Sequence, residues 1–170
     1  MSTTVIAITN QKGGVGKTTT TAALLSSLHR RGARVLGVVL DPQGSLGFSL
    51  GLDIEGCTTV YEVFRGEVEP DQAITQTEHG DILPSNILLS AAEVEFNRPG
   101  REFLLRTALS KVRERYDFII IDTPPALNVL TVNAYVATDS LIIPMSPGVL
   151  SLLGVSQIKG TIERGGGYYK

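Results

Sequence analysis

The stretch NQKGGVGKTTTTAALLSSL, residues Asn10 to Leu28, sets two lysines around very little side-chain bulk. Lys12 and Lys17 bracket Gly13, Gly14, Val15 and Gly16, and Thr18 and Thr19 follow. Without Cβ atoms, glycine-rich backbone can turn its N–H groups inward around an anion. A helix beginning behind such a loop adds partial positive charge. The phosphate-loop pattern G-x-x-x-x-G-K-[ST] is met at Gly16, Lys17 and Thr18, although its first position is Gln11. In such a loop Lys17 reaches the β and γ phosphates of a nucleotide, and the Thr18 hydroxyl takes one position on Mg²⁺. Gly13 through Thr19 are therefore candidate nucleotide-binding residues, and Lys12 stands directly before them.

Two carboxylates stand where such a site needs them. Asp41 follows the apolar run RVLGVVL, and Asp122 follows FIII. In open parallel sheets ligands bind beyond the carboxyl ends of the strands. Asp122 is a candidate Mg²⁺ ligand, acting through water. It also stands before a helix that it could cap, and both roles can hold. Asp41 precedes Pro42, so a turn-forming role stands beside any chemical one.

The elements that must position these groups alternate. VIAI (Val5 to Ile8) reads as a strand buried on both faces. Thr21, Leu24, Leu25 and Leu28 mark one helix face, and Gly32 is placed to end that helix. Further strands are expected at Arg34–Leu40, Asp81–Leu83, Phe118–Ile121 and Ser140–Pro144. Helices are expected near Thr58–Phe64, Asp71–Ile74, Leu88–Phe96, Leu127–Val136 and Val149–Glu163. Pro99 opens one more, running to about Arg115. This alternation predicts a single α/β domain over residues 1–170, a doubly wound, mostly parallel sheet flanked by helices.

Composition narrows the function classes. A net charge of −2 supplies no bulk attraction to nucleic acid or anionic lipid, so any such contact needs a local patch. Arg98, Arg101, Arg106, Arg113 and Arg115 could form one facing DNA, or simply solvate a helix. A lone cysteine, Cys57, makes no internal disulfide and fits a reducing compartment. His29 and His79 are isolated and read as solvent-facing or helix-end residues. No secretory leader and no apolar run of about 18 residues is visible, so the chain reads as cytoplasmic.

KGGVGKTTT resembles the deviant phosphate loop of the ParA/MinD ATPases, and LDPQGS and IIIDTPP resemble the next two motifs of that superfamily. TVYEVFRGEVEPDQAI, LPSN and RPGREFLLRTAL resemble the ParA partition branch. The resemblance runs from about Thr3 to Glu163. It implies a slow, partner-stimulated ATP hydrolase with ATP and Mg²⁺ as cofactors. Lys12, Lys17 and Asp41 would be catalytic, and Thr18 and Asp122 would hold the metal. Lys12 would cross a nucleotide-sandwich homodimer to the other subunit's phosphates, as an arginine finger does. Asp41 would orient the attacking water, and TPP behind Asp122 would respond to the γ-phosphate.

The partners implied are a ParB-type centromere-binding protein and non-specific DNA, with no membrane and a nucleoid location. A MinD-like membrane ATPase and a hydrolysis-deficient nucleotide-binding module are the alternatives. Relatives often carry an aspartate at the position of Val39, so hydrolysis is expected to be slow here. A redox role with a bridging cluster is set aside, because each subunit would need two cysteines. The family implies a longer domain, with adenine-binding and most DNA-binding residues beyond Lys170, so the chain is expected to be either a fragment or naturally short.

Overall fold

A computed structural model describes residues 2–9, 16–144 and 163. Lys12 to Val15 of the glycine loop, the helix expected at Val149–Glu163 apart from Glu163, and the terminal GGGYYK lie outside the described residues.

Among the described residues the strands are β1 (Thr4–Ile8), β2 (Val35–Val39), β3 (Thr75–Thr77), β4 (Gly80–Leu83), β5 (Phe118–Asp122) and β6 (Ser140–Ile142). They form one sheet in the order β3-β4-β2-β5-β1-β6. Every pairing is parallel except β3 with β4. The helices are α1 (Lys17–Arg30), α2 (Ser45–Ser49), α3 (Val60–Arg65), α4 (Pro70–Ala73), α5 (Ala92–Glu95), α6 (Leu104–Ser110) and α7 (Val129–Ala137).

Helices cover both faces, so the central strands are apolar throughout rather than alternating. All five residues of β2 are buried. Strand parity divides the core. Val5, Ala7, Leu36, Val38, Ile119 and Ile121 face the side covered by α3 to α7. Ile8, Val35, Val39, Ile82 and Ile120 face the side covered by α1 and α2.

α1 is the element that matters for the site, because Lys17 is its first residue. Thr21 and Leu25 are buried, and Leu24 and Leu28 pack alongside, as the periodicity predicts. Gly32, at φ 85°, ends the helix in a Schellman motif, with the Gly32 N–H on the His29 carbonyl and the Ala33 N–H on the Leu28 carbonyl. Leu25 lies so close over β2 that a Cβ on Gly37 would come within 2.7 Å of Leu25 Cδ1 and 2.9 Å of Ile82 Cδ1. Gly37 thus lets α1 settle onto the sheet.

Two expectations need correction, and one strand was not expected. The helix expected from Pro99 to Arg115 is broken: Pro99 and Gly100 form a turn, Arg101–Phe103 is a 3₁₀ turn, and α6 covers only Leu104–Ser110. Gly100 adopts φ 82°, and Asn133 of α7 fixes the start of α6 by accepting from the Leu105 N–H and donating to the Arg101 carbonyl. The helix expected at Leu88–Phe96 begins as a 3₁₀ turn, Ile87–Ala91, capped by Asn86. The short polar strand β3 was not foreseen, since three residues carry too little pattern.

The arginines of the C-terminal half are mostly tied to their own surroundings. Arg98 donates to the Phe64 carbonyl, Arg101 pairs with Asn97, Arg113 donates to the Thr3 carbonyl and Asp139, and Arg115 lies 3.8 Å from Asp71. These contacts support the local reading of that stretch. His29 is exposed at the end of α1, and His79 sits in the β3–β4 turn beside the Ser26 hydroxyl. No helix among the described residues is long and apolar enough to cross a membrane.

Truncating Leu25 to alanine should cost about 2–5 kcal/mol of stability. Urea unfolding with an unchanged m-value would measure it, and a loss below about 1 kcal/mol would show that Leu25 does not anchor α1.

Candidate functional site

The site forms where α1 begins above the carboxyl ends of β1, β2 and β5. Gly16 stands before α1 in the left-handed region, at φ 76°. Among the described residues no side chain caps the helix there, and no acid lies in its first turn. A helix N-terminus of this kind favours an anion. Thr18 is half-buried beside Lys17, and Thr19 is exposed. The Thr21 hydroxyl donates back to the Lys17 carbonyl at 2.8 Å, tightening this first turn.

Asp122 is the last residue of β5. It pairs in register with Ile8 of β1 on one side and Val39 of β2 on the other. Strand parity places it on the α1 side, in line with Ile120. The carboxylate is therefore set into an apolar row and is fully buried. Lys17 Nζ donates to its Oδ1 at 2.9 Å. Its Oδ2 is buried with no hydrogen-bond partner among the described residues. Burial, the largest influence, pushes the Asp122 carboxyl above the usual carboxylate range, while the Lys17 ammonium pulls it back down.

Asp41 completes the group. Two residues past Val39, it returns to the α1 side, and its Oδ2 lies 3.8 Å from Lys17 Nζ. Its Oδ1 accepts from the Gln43 N–H at 3.0 Å, so the turn-forming role is present as well. The Asp41 carbonyl accepts from the Gly44 N–H at 3.0 Å and from the buried Ser85 hydroxyl at 2.6 Å. Ser85 belongs to the LPSN segment that leaves β4, the strand next to β2. Sequence reasoning singled out that segment without giving Ser85 a role, and only the β4–β2 pairing reveals one.

Thr123 continues the same surface. Its hydroxyl donates to the Ile8 carbonyl at 2.9 Å, tying the start of the TPP segment to the strand that leads into the glycine loop. The helix-capping role considered for Asp122 falls instead to Asn128, whose side chain accepts from the Leu130 and Thr131 N–H groups.

The structure thus brings Lys17, Asp41 and Asp122 together, with Gly16 and Thr18 beside them. Lys12, Gly13, Gly14 and Val15 lie outside the described residues. One ammonium faces two acidic side chains. A buried Asp122 oxygen with no partner among the described residues, a second acid at Asp41 and the Thr18 hydroxyl in the first turn of α1 are oxygen donors of the kind a hard divalent cation takes.

Comparison with known proteins identifies the family. The AAA domain family model matches residues 3–166. The sporulation initiation inhibitor protein Soj of Bacillus subtilis is 44% identical over 165 residues, covering 94% of this chain and 64% of that protein. The chromosome partitioning protein ParA of Myxococcus xanthus is 43% identical over 163 residues, covering 94% of this chain and 58% of that protein. A crystal structure of cobyrinic acid a,c-diamide synthase from Mycobacterium smegmatis, with bound ATP analogue and magnesium, superimposes with a TM-score of 0.93 at 44% identity, covering 99% of this chain and 70% of that one. The chain spans less than two thirds of the length of these curated relatives. A glycine loop opening α1, strand-end carboxylates gathered around its lysine, and a family match over nearly all of its residues place the chain in the ParA/MinD-type P-loop ATPase family.

Proposed function

We propose that the chain is an Mg²⁺-dependent ATPase domain that acts as a nucleotide-switched homodimer in DNA partition. The observation that carries this reading is the convergence of Lys17, at the tip of α1, on Asp122 and Asp41 at the ends of neighbouring parallel strands. The partition role is supported by the naming of the M. xanthus relative as a chromosome partitioning protein.

In this reading the glycine loop and the first turn of α1 bind the ATP phosphates. Lys17 neutralises the β and γ phosphates. Thr18 and Asp122 would hold Mg²⁺, which when bound offsets charge on the phosphate oxygens. Asp41, fixed through its main chain by Ser85 and Gly44, orients the attacking water from the end of β2. Lys12 supplies the second cation from the partner copy, so turnover depends on dimerisation. A ParB-type partner and DNA would stimulate it, on the nucleoid in the cytoplasm. Val39 leaves the β2 end with Asp41 alone as an acid, which fits slow turnover.

A second reading comes from the M. smegmatis structure, whose name is that of a synthase acting on cobyrinic acid. Phosphate release raised by DNA and a partition partner supports the first reading, and release raised only by cobyrinic acid supports the second.

Replacing Lys17 with alanine should abolish nucleotide binding, measured by calorimetry. Asp41→Ala should keep binding while phosphate release falls about 100-fold or more. Normal ATP binding by the Lys17 variant would overturn the phosphate-loop assignment. Lys12→Ala should bind ATP yet lose most phosphate release. A Lys12 variant as active as the wild type would remove its role across the dimer.

A further inference from the structure

The chain leaves β1 at Ile8 and enters the glycine stretch at Asn10, so Thr9 is the junction between them. Thr9 follows Val5 and Ala7 in strand parity and faces the side of the sheet that α7 covers. It is 1% exposed, and its hydroxyl shares a 2.9 Å hydrogen bond with the phenol of Tyr135, in the second turn of α7. The Thr9 N–H donates to the Ile142 carbonyl of β6 at 3.0 Å. α7 is held to the same strand further down, where Thr138, just past its end, accepts from the Ala7 N–H at 3.0 Å. Burial pushes the Tyr135 phenol above its usual value, while the bond to Thr9 pulls the other way, so the phenol keeps its proton at neutral pH.

Packing alone does not ask for these two hydroxyls. Phenylalanine would fill the place of the Tyr135 ring against the core, and valine has the shape of threonine. A polar pair standing where an apolar pair would pack as well fixes direction rather than adding burial. The direction fixed here is that of the chain entering the glycine stretch. At the other end of that stretch, the Thr20 N–H closes the first turn of α1 on the Gly16 carbonyl at 2.8 Å. A short stretch has its reach set by its two ends. A phosphate-binding backbone must bring several N–H groups to one anion, so a shift at the Thr9 end costs affinity without removing any group that touches the ligand. We propose, on the nucleotide-binding reading above, that Tyr135 is a positioning residue for the nucleotide site: by holding Thr9, it sets where and in which direction the chain departs β1 for the glycine loop. β1 is then gripped at Ile8 by Thr123, at the start of the TPP segment, and at Thr9 by the helix behind that segment.

ADP binding to the full chain in Mg²⁺, measured by calorimetry, and urea unfolding of the same proteins separate this role from packing. Tyr135→Phe leaves the buried Thr9 hydroxyl without this partner, so it should lower stability and weaken ADP binding, the latter about three- to tenfold. Adding Thr9→Val removes the stranded hydroxyl. The double variant should regain most of the lost stability while its ADP binding stays as weak as that of Tyr135→Phe. ADP affinity that recovers together with stability in the double variant, or that falls in neither variant, overturns the positioning role and leaves the nucleotide-binding reading intact. Should Tyr135→Phe not fold, the double variant decides by itself: the same loss of affinity supports the role, and wild-type affinity overturns it. A wild type that binds no ADP overturns the nucleotide-binding reading and the positioning role together.

Discussion

The contact on which the site depends is the one between the buried Asp122 carboxyl and the Lys17 ammonium, 2.9 Å away. Asp122 is fully buried in a parallel row between Ile8 and Val39. Sheet order decides this environment: β5 lies between β2 and β1, so the last residue of β5 has apolar neighbours on both sides. Lys17 reaches the carboxyl because α1 starts directly above that row. Strand order, the close packing of Leu25 over Gly37 and the helix start at Gly16 are separate features of the chain, and all of them are required to bring one amine to one acid.

The same geometry explains how ligand chemistry could be felt elsewhere in the fold. The carboxyl ends of β1, β2 and β5 are cross-linked by short polar contacts. Thr123 holds the Ile8 carbonyl, Ser85 holds the Asp41 carbonyl, and the Leu40 N–H continues the ladder to the Asp122 carbonyl. Movement of Lys17 away from Asp122 would change the charge balance at a point where three strands and the segment after β5 are already joined. That is the kind of small local change that phosphate-sensing segments convert into order or disorder.

Much of the fold was legible in the sequence because its core strands are buried on both faces and read as unbroken apolar runs. VIAI, RVLGVVL and FIII each became a strand with ends within one residue or so of expectation. The α1 face was legible through its 3.6-residue period. Less legible were the segments whose form depends on a distant partner. The start of α6 is set by Asn133, 28 residues from Leu105, and no local pattern near Pro99 shows it. Of the site, Lys17, Asp41 and Asp122 were visible as types at strand and helix ends. Their mutual contact was not, because it depends on strand order. The role of Ser85 was hidden for the same reason, since the Ser85 hydroxyl and the Asp41 carbonyl meet across 44 residues of sequence through the pairing of β4 with β2.

The central claim is that the Lys17 ammonium, bonded to Asp122 Oδ1 in this structure, is the group that turns to phosphate when a nucleotide binds. Crystal structures of the chain without ligand and with Mg²⁺ and ADP would test it most directly. The account predicts Lys17 Nζ at hydrogen-bonding distance from Asp122 in the first, and turned to phosphate in the second with the cation's shell on Asp122. A Lys17 side chain free of Asp122 without ligand, or still bonded to it with Mg²⁺ and ADP in place, would contradict it.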